Sequence, residues 1–188
     1  NWYFWAIKEV DFPSAPTPAD AKKRNVSLQA LENEHKARNV IRLLTRLLFV
    51  WFIKEKNLIP EQLFDLEYLQ KEILNDIPPV TDDGLFKEAN RESTYYKAVL
   101  QNLFFATLNC PTEQDESNNI KRDFSKNNFG VFYLMRYKQY FKNPDAFLEI
   151  VNRAVPFLNG GLFECLDVRG EREKKEDRKY IDGFSDNL

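Results

Sequence analysis

Hydrophobic residues recur every three or four positions along much of this chain, which is the spacing of one face of an α-helix. Residues 42–53, RLLTRLLFVWFI, are apolar at nine of twelve positions, and this density predicts a helix that is buried on most sides. We expect the helix to start near Ala21, with Asp20 as its N-cap, and to run with a break to Lys56.

Two further apolar stripes predict two more helices in the middle of the chain. The first, EQLFDLEYLQKEIL, is residues 61–74, and the second covers about 91–108. A fourth, short helix is predicted through Arg153, because Asn143 and Pro144 form a standard pair of N-cap and first helical position.

The remaining segments are polar or contain turn-forming residues. Residues 112–128 are typical of a polar surface loop, and the stretch GVFYLMRYKQYF after them fits either a helix or a strand. In VPFLNGGLFECLD, two glycines separate two short apolar runs, which predicts a small β-hairpin near 156–166. The pattern as a whole predicts a mostly α, helical bundle-like fold in which residues 1–188 form a single helix-rich domain.

The chain is almost neutral, but its charges are unevenly distributed. Its 27 lysines and arginines are balanced by 29 acidic residues, which argues against a module that binds nucleic acid through bulk charge. Residues 21–56 hold nine bases and three acids, a charge of +6, whereas residues 57–92 hold three bases and nine acids, a charge of −6. Residues 121–142 hold six bases and one acid, a charge of +5. The two positive segments are therefore the places where a nucleic-acid contact is to be sought.

Other features favour a cytoplasmic protein without a membrane segment. Cys110 and Cys165 lack the spacing of a redox or metal motif, and the first residues lack the pattern of a secretory leader. Arg42 and Arg46 interrupt the stretch that comes nearest to the roughly 18 to 20 apolar residues needed to cross a bilayer.

Three arginines form the clearest pattern of the first positive segment. Arg38, Arg42 and Arg46 recur every four residues and share one helix face. Buried cations need partners, so they either meet carboxylates of the acidic segment or face DNA phosphates. The spacing favours the first interpretation and leaves the second open. The carboxylates available for the first interpretation are Asp65, Glu67 and Glu72.

The second positive segment alternates rings and charges in YLMRYKQYFK, which includes Arg136 and Lys138. Rings between cations can form a stacking platform for single-stranded nucleic acid. The same pattern is typical of an amphipathic segment whose aromatic residues fill a core, and this interpretation is favoured. Arg38, Arg42, Arg46, Arg136 and Lys138 are together the candidate nucleic-acid contacts.

No catalytic, cofactor-binding or metal-ligating residue is assigned. His35 is the single histidine and lies in a charged helical stretch, where a surface position is expected. Asp167, Glu173 and Lys175 imitate the acid, acid, lysine set of a magnesium nuclease, but they belong to a run of charges in which such spacing arises by chance. Neither a Walker motif nor GxGxxG occurs among six glycines.

Several phrases taken together resemble one family. They are NWYFWAIKEVDFP, IRLLTRLLFVWFIKEKNLIPEQLFD, YYKAVLQNLFFATLN, VPFLNGGLFECLD and YIDGFSDNL. Their order resembles the region that precedes the methyltransferase domain in bacterial type IIG-like restriction-modification proteins, in which a DNA endonuclease and an adenine methyltransferase are fused. The similarity is spread from end to end of the chain, with divergent parts at 14–40, 66–94 and 110–154, and it matches the helical connector of that family.

The resemblance implies a fragment of a larger enzyme rather than a catalytic unit. In that family the methyl donor is bound at an F-x-G-x-G-like strand end and the target adenine by N-P-P-Y. Here Asn143-Pro144-Asp145 departs from the second motif, and no Gly-x-Gly occurs. S-adenosylmethionine and Mg²⁺ are therefore expected only in the parent protein. Its partners would be double-stranded DNA and the neighbouring nuclease and methyltransferase domains. A type I-like restriction subunit and a free-standing interaction domain without a DNA role are the alternatives.

Overall fold

A computed structural model of the chain describes residues 2–10, 12, 15–75, 94–114, 116, 120–122, 127–128, 131–132, 135–158 and 161–163. These residues form two compact units, of which one ends at Leu48 and the other begins at Phe49. The prediction of a mostly α fold is confirmed. The prediction of a single domain stays a prediction. Each unit has buried apolar residues of its own.

The first unit contains α1 (Trp2–Glu9), α2 (Pro18–Arg24) and the greater part of α3 (Leu28–Glu55). Helices α1 and α3 share a small apolar cluster made by Ala6, Val10, Phe12 and Val40. The aromatic start of the chain is thus a helix that contributes to a core. Tyr3 and Trp5 pack against the cluster, whereas Phe4 remains exposed.

Helix α2 is capped at both ends by local hydrogen bonds. Thr17, rather than the predicted Asp20, is the N-cap: Thr17 Oγ1 accepts the Asp20 N–H, and Asp20 Oδ2 accepts the Thr17 N–H at 2.8 Å. Asp20 is therefore the third residue of a capping box, which is the reciprocal arrangement that Thr-x-x-Asp permits. The predicted break in the long helix falls at Asn25, whose φ of 55° ends α2 in the left-handed conformation.

Helix α3 departs from the expected burial. It is a continuous helix of 28 residues, but Leu48, Trp51 and Phe52 are each more than half exposed. Leu43, Val50 and Ile53 are buried instead. One side of α3 therefore packs as a core helix, and another side presents apolar residues to solvent.

The second unit consists of short helices around two π-helical segments, Tyr95–Leu100 and Asn102–Leu108. Its helical elements are a 3₁₀ turn (Glu61–Phe64), α4 (Leu66–Tyr68), three π-helical segments (Leu69–Ile73, Tyr95–Leu100 and Asn102–Leu108), a 3₁₀ turn (Lys138–Tyr140) and α5 (Pro144–Ala154). Asn143 caps α5 by accepting the Ala146 N–H at 3.1 Å, and Pro144 is its first residue, as predicted. Every residue of Asn102–Leu108 is buried, so this segment forms the centre of the unit.

Within the described part of the chain, four strands of two residues each form two antiparallel pairs. Strand β1 (Glu113–Gln114) pairs with β2 (Ile120–Lys121), and β3 (Asn127–Asn128) pairs with β4 (Val131–Phe132). Both pairs lie in the region expected to be a polar loop and in the ambiguous stretch after it. Their short ladders leave the helical character of the chain unchanged.

The hairpin predicted near 156–166 is wrong for the described residues of that stretch. Gly161–Phe163 is a 3₁₀ turn, and the Leu158 N–H donates to the Leu108 carbonyl at 2.8 Å rather than to a second strand. Phe163 is buried and stacks on Phe104 with 5.7 Å between ring centroids. A ring that must reach the core favours a compact turn over an extended strand.

Candidate nucleic-acid interface

The three arginines of α3 lie in three different environments. Arg38 is exposed and forms an ion pair with Glu34 one turn earlier. Arg42 is half-buried and donates to Asn39 Oδ1 at 2.5 Å. Arg46 is only 1% exposed. Of this face, Arg38 is the most accessible to a phosphate group, and Arg46 is enclosed by the fold.

Two of the acids predicted to meet these arginines, Asp65 and Glu72, make contacts within their own segment. Asp65 is the N-cap of α4, because Asp65 Oδ1 accepts the Tyr68 N–H at 3.0 Å. Glu72 forms an ion pair with Lys71 at 3.2 Å. The pairing of these acids with Arg42 and Arg46 stays a prediction.

Arg136 is enclosed by the second unit. Its backbone N–H donates to Asn102 Oδ1 at 2.7 Å, and its carbonyl accepts from Asn102 Nδ2 at 2.9 Å. The guanidinium lies 4.2 Å above the Phe105 ring, and its Nη1 donates to Gln101 Oε1 at 3.4 Å. The ring and the amide therefore fix the position of this fully buried guanidinium in the core.

The buried side chain of Asn102 forms three hydrogen bonds, which we call the amide clasp. Two of them join Asn102 to the backbone of Arg136, and in the third Nδ2 donates to the Ala98 carbonyl at 2.7 Å. An asparagine amide has the donors and the acceptor needed to pair with an N–H and a C=O of one residue. The clasp attaches an irregular segment to the central helix without a β-ladder.

The rings near Arg136 belong to the interior. Tyr137 is buried and stacks on Tyr140 with 5.7 Å between centroids, and Phe141 is buried 5.3 Å from Phe147. Lys138, between them in sequence, is exposed at the start of a 3₁₀ turn. This arrangement supports the interpretation that the aromatic residues fill a core rather than present faces to bases.

Arg122, which the sequence did not single out, donates to three backbone carbonyls. Its Nε donates to the Thr107 carbonyl at 3.2 Å, Nη1 to the Val151 carbonyl at 3.0 Å, and Nη2 to the Val155 carbonyl. Burial lowers the pKa of Arg122 to about 10. These carbonyls lie at or just after the carboxyl ends of two helices, where the helix dipole favours a cation. The Thr107 and Val151 carbonyls also accept from the Cys110 and Val155 N–H groups, at 3.1 and 3.0 Å. We call this arrangement the carbonyl clamp.

The described residues contain no group of three or more histidine, cysteine or acidic side chains that could hold a metal ion. His35 is half-buried, and its carbonyl accepts from Asn39 Nδ2 at 3.0 Å. Asp167, Glu173 and Lys175 lie outside the described residues. Over the same part of the chain, no helix is both long enough and apolar enough to span a bilayer.

The structure thus sorts the five candidate contacts by accessibility. Arg38 and Lys138 are exposed, Arg42 is half-buried, and Arg46 and Arg136 are enclosed. The contact of all five with DNA stays a prediction. The burial of Arg46 could have been anticipated from the apolar residues on every side of it in sequence. The partners of Arg122 could not, because they are backbone carbonyls 15 to 33 residues away.

Comparison with known proteins indicates a distant relationship to restriction-modification enzymes. A protein of Methanocaldococcus jannaschii, RM.MjaORFECS2P, is 26% identical over 136 residues and is named as a candidate type II restriction enzyme and methyltransferase. The match covers 72% of this chain and 8% of that protein. No protein-family model matches the chain, and no solved structure resembles it significantly.

Proposed function

We propose that this chain is a non-catalytic helical connector of a bacterial DNA restriction-modification enzyme, which positions a nuclease module and a methyltransferase module. The similarity to RM.MjaORFECS2P carries the proposal, since a protein named for both activities is matched over 72% of this chain but only 8% of its own length. A matching piece so small is compatible with a segment between modules. Double-stranded DNA would be bound through the parent protein, and S-adenosylmethionine and Mg²⁺ would be held by its other modules.

The internal contacts suit a spacer. Helix α3 has 28 residues, which corresponds to a length of about 42 Å. In the second unit, the amide clasp and the carbonyl clamp use polar groups to fix irregular segments onto helices. Arg122 and Arg136 are thereby engaged within the fold, and both side chains are buried rather than presented at the surface.

The exposed apolar residues of α3 give the neighbouring modules a surface to cover. Ile41, Leu48, Trp51 and Phe52 are all more than half exposed on this one helix. Apolar residues concentrated in this way mark surfaces that contact other protein. In the connector, such residues would be buried against an adjacent module of the parent enzyme.

The complete open reading frame gives the first test. An F-x-G-x-G motif and an N-P-P-Y motif downstream of Leu188 are the expected result. Helicase motifs in their place would indicate a type I-like restriction subunit, and a stop codon just past Leu188 would contradict the connector and indicate a free-standing interaction domain.

A helix-breaking substitution in the intact enzyme gives the second test. Thr45 is exposed in the middle of α3, and Thr45→Pro would interrupt the helix, whereas Thr45→Ala preserves it. With Thr45→Pro, we expect methyl transfer to persist while the position of DNA cleavage relative to the recognition site becomes scattered. Thr45→Ala should leave both unchanged. Loss of methyl-donor binding in Thr45→Pro, with the protein still folded, would place the segment in the active site and refute a spacer.

A further inference from the structure

We infer that the last turn of α2, comprising Lys22, Lys23 and Arg24, is a contact surface for the phosphates of duplex DNA. These three consecutive cations are all exposed, and we call them the basic turn. The inference rests on the proposed function, which supplies duplex DNA as the polyanion. It shifts the phosphate contact from the arginines of α3 to three other residues of the positive segment 21–56, which were not among the five candidate contacts.

The basic turn is not needed to complete its own helix. Cations at the carboxyl end of a helix commonly serve its unpaired carbonyls. In α2 the backbone does this: the Asn25 N–H donates to the Lys22 carbonyl at 3.2 Å, and the Val26 N–H donates to the Ala21 carbonyl at 3.1 Å. This pair of bonds is a Schellman motif. The side chains of the basic turn therefore remain available to solvent or to a ligand.

The acid of the same helix, Asp20, is already engaged. Asp20 accepts hydrogen bonds from both the backbone N–H and the hydroxyl of Thr17, at 2.8 and 2.6 Å. These two hydrogen bonds are the main cause of the lowered pKa of Asp20, and the charges of Arg24 and Lys23 lower this pKa by a smaller amount. Across the described residues, no ion pair or side-chain hydrogen bond involves the basic turn.

The short helix that carries the basic turn is well ordered for its length. A capping box fixes its first turn, the Schellman motif fixes its end, and Ala21 is buried. Three cations on a helix fixed at both ends lose less conformational freedom on meeting a phosphate than cations on a loose loop. By contrast, Arg46 is enclosed and Arg38 is paired with Glu34.

The test is a salt titration of duplex-DNA binding by the chain, using the triple variant Lys22→Gln, Lys23→Gln, Arg24→Gln. Each phosphate contact contributes a slope of about −0.9 to the dependence of log affinity on log salt, so three contacts contribute about −2.7. The ratio of the native chain's DNA affinity to that of the variant should therefore fall by about 40-fold between about 50 and about 200 mM salt. A matched control, Lys56→Gln, Lys71→Gln, Arg153→Gln, removes the same charge from exposed positions elsewhere.

Circular dichroism first establishes that both variants retain the native melt. A reduced slope in the basic-turn variant and a native slope in the control would support the contact. Equal slopes in the two variants would show a bulk charge effect and overturn it, as would a native chain that does not bind duplex DNA or binds single strands equally well. None of these negative results touches the connector, which the intact-enzyme experiment with Thr45→Pro tests separately.

Discussion

The amide clasp makes the sharpest prediction about stability. Asn102→Ala removes a side chain that bonds both the N–H and the C=O of Arg136, and its three hydrogen bonds are buried. A buried backbone group left without a partner costs about 1 to 3 kcal/mol. Two such groups at Arg136 give an expected loss of about 2 to 6 kcal/mol from the free energy of unfolding.

That loss is large enough to be measured without ambiguity. For a chain of this size, each kcal/mol lowers the melting temperature by about 2 to 4 °C, so a fall of roughly 5 to 20 °C is expected. Urea unfolding followed by circular dichroism gives the free energy, and hydrogen exchange should show faster exchange of the Arg136 amide. Asn33→Ala is the matched control, because Asn33 is exposed on α3 and should change stability by no more than about 0.5 kcal/mol. An Asn102→Ala variant as stable as the control would refute the structural role of the clasp.

Four further predictions concern charge and surface. Arg122→Lys keeps the charge but cannot reach carbonyls on two helices, so it should lower the free energy of unfolding by about 2 to 4 kcal/mol in urea titrations; native stability would contradict the clamp. Burial raises the pKa of Tyr95, whose hydroxyl donates to the Leu63 carbonyl at 2.9 Å. The protonated Tyr95 hydroxyl therefore contributes fully to the free energy of unfolding below the ordinary tyrosine pKa of 10.0. This contribution is lost as pH rises through the higher pKa of the folded state, because the unfolded chain releases the proton first. Tyr95→Phe should lower the free energy of unfolding by about 1 kcal/mol at neutral pH and make it less sensitive to pH above about 10. If the stability of the variant fell with alkaline pH in the same way as that of the native chain, this reasoning would be contradicted. Arg42→Ala should lower the melting temperature, and an unchanged melt with weaker, salt-sensitive DNA binding would instead show that Arg42 faces phosphates. The exposed apolar residues of α3 should cause the isolated chain to associate in analytical ultracentrifugation, and an ideal monomer over a wide concentration range would count against an interface there.

Signals that depend on neighbouring residues could be predicted from the sequence. The Asn143-Pro144 pair specifies the start of α5, because both the cap and the first-position geometry are local. The start of α2 was misplaced by three residues, since the Thr17–Asp20 capping box was overlooked in favour of Asp20 as the cap. The break at Asn25 follows from the tolerance of asparagine for the left-handed conformation.

Features that depend on distant residues could not be predicted. The carbonyl clamp joins Arg122 to backbone carbonyls. Because every residue has such a carbonyl, the sequence does not show which ones Arg122 contacts. Asn102 did leave a trace, as a polar residue at the head of the apolar run LFFA, but its partner at residue 136 is fixed only by the tertiary fold. The glycine pair near residue 160 was assigned to a hairpin because the sequence does not show that Phe163 must reach the core.

The proposed spacer depends on the continuity of α3, which a distance measurement can test directly. Spin labels at Asn33→Cys and Glu55→Cys, both exposed on α3, can be introduced into a chain carrying Cys110→Ser and Cys165→Ser. A straight helix places the two α-carbons about 33 Å apart. Double electron–electron resonance should give a single narrow distance distribution consistent with that separation. A broad distribution, or one centred at a much shorter distance, would show a hinge within α3 and contradict a stiff connector.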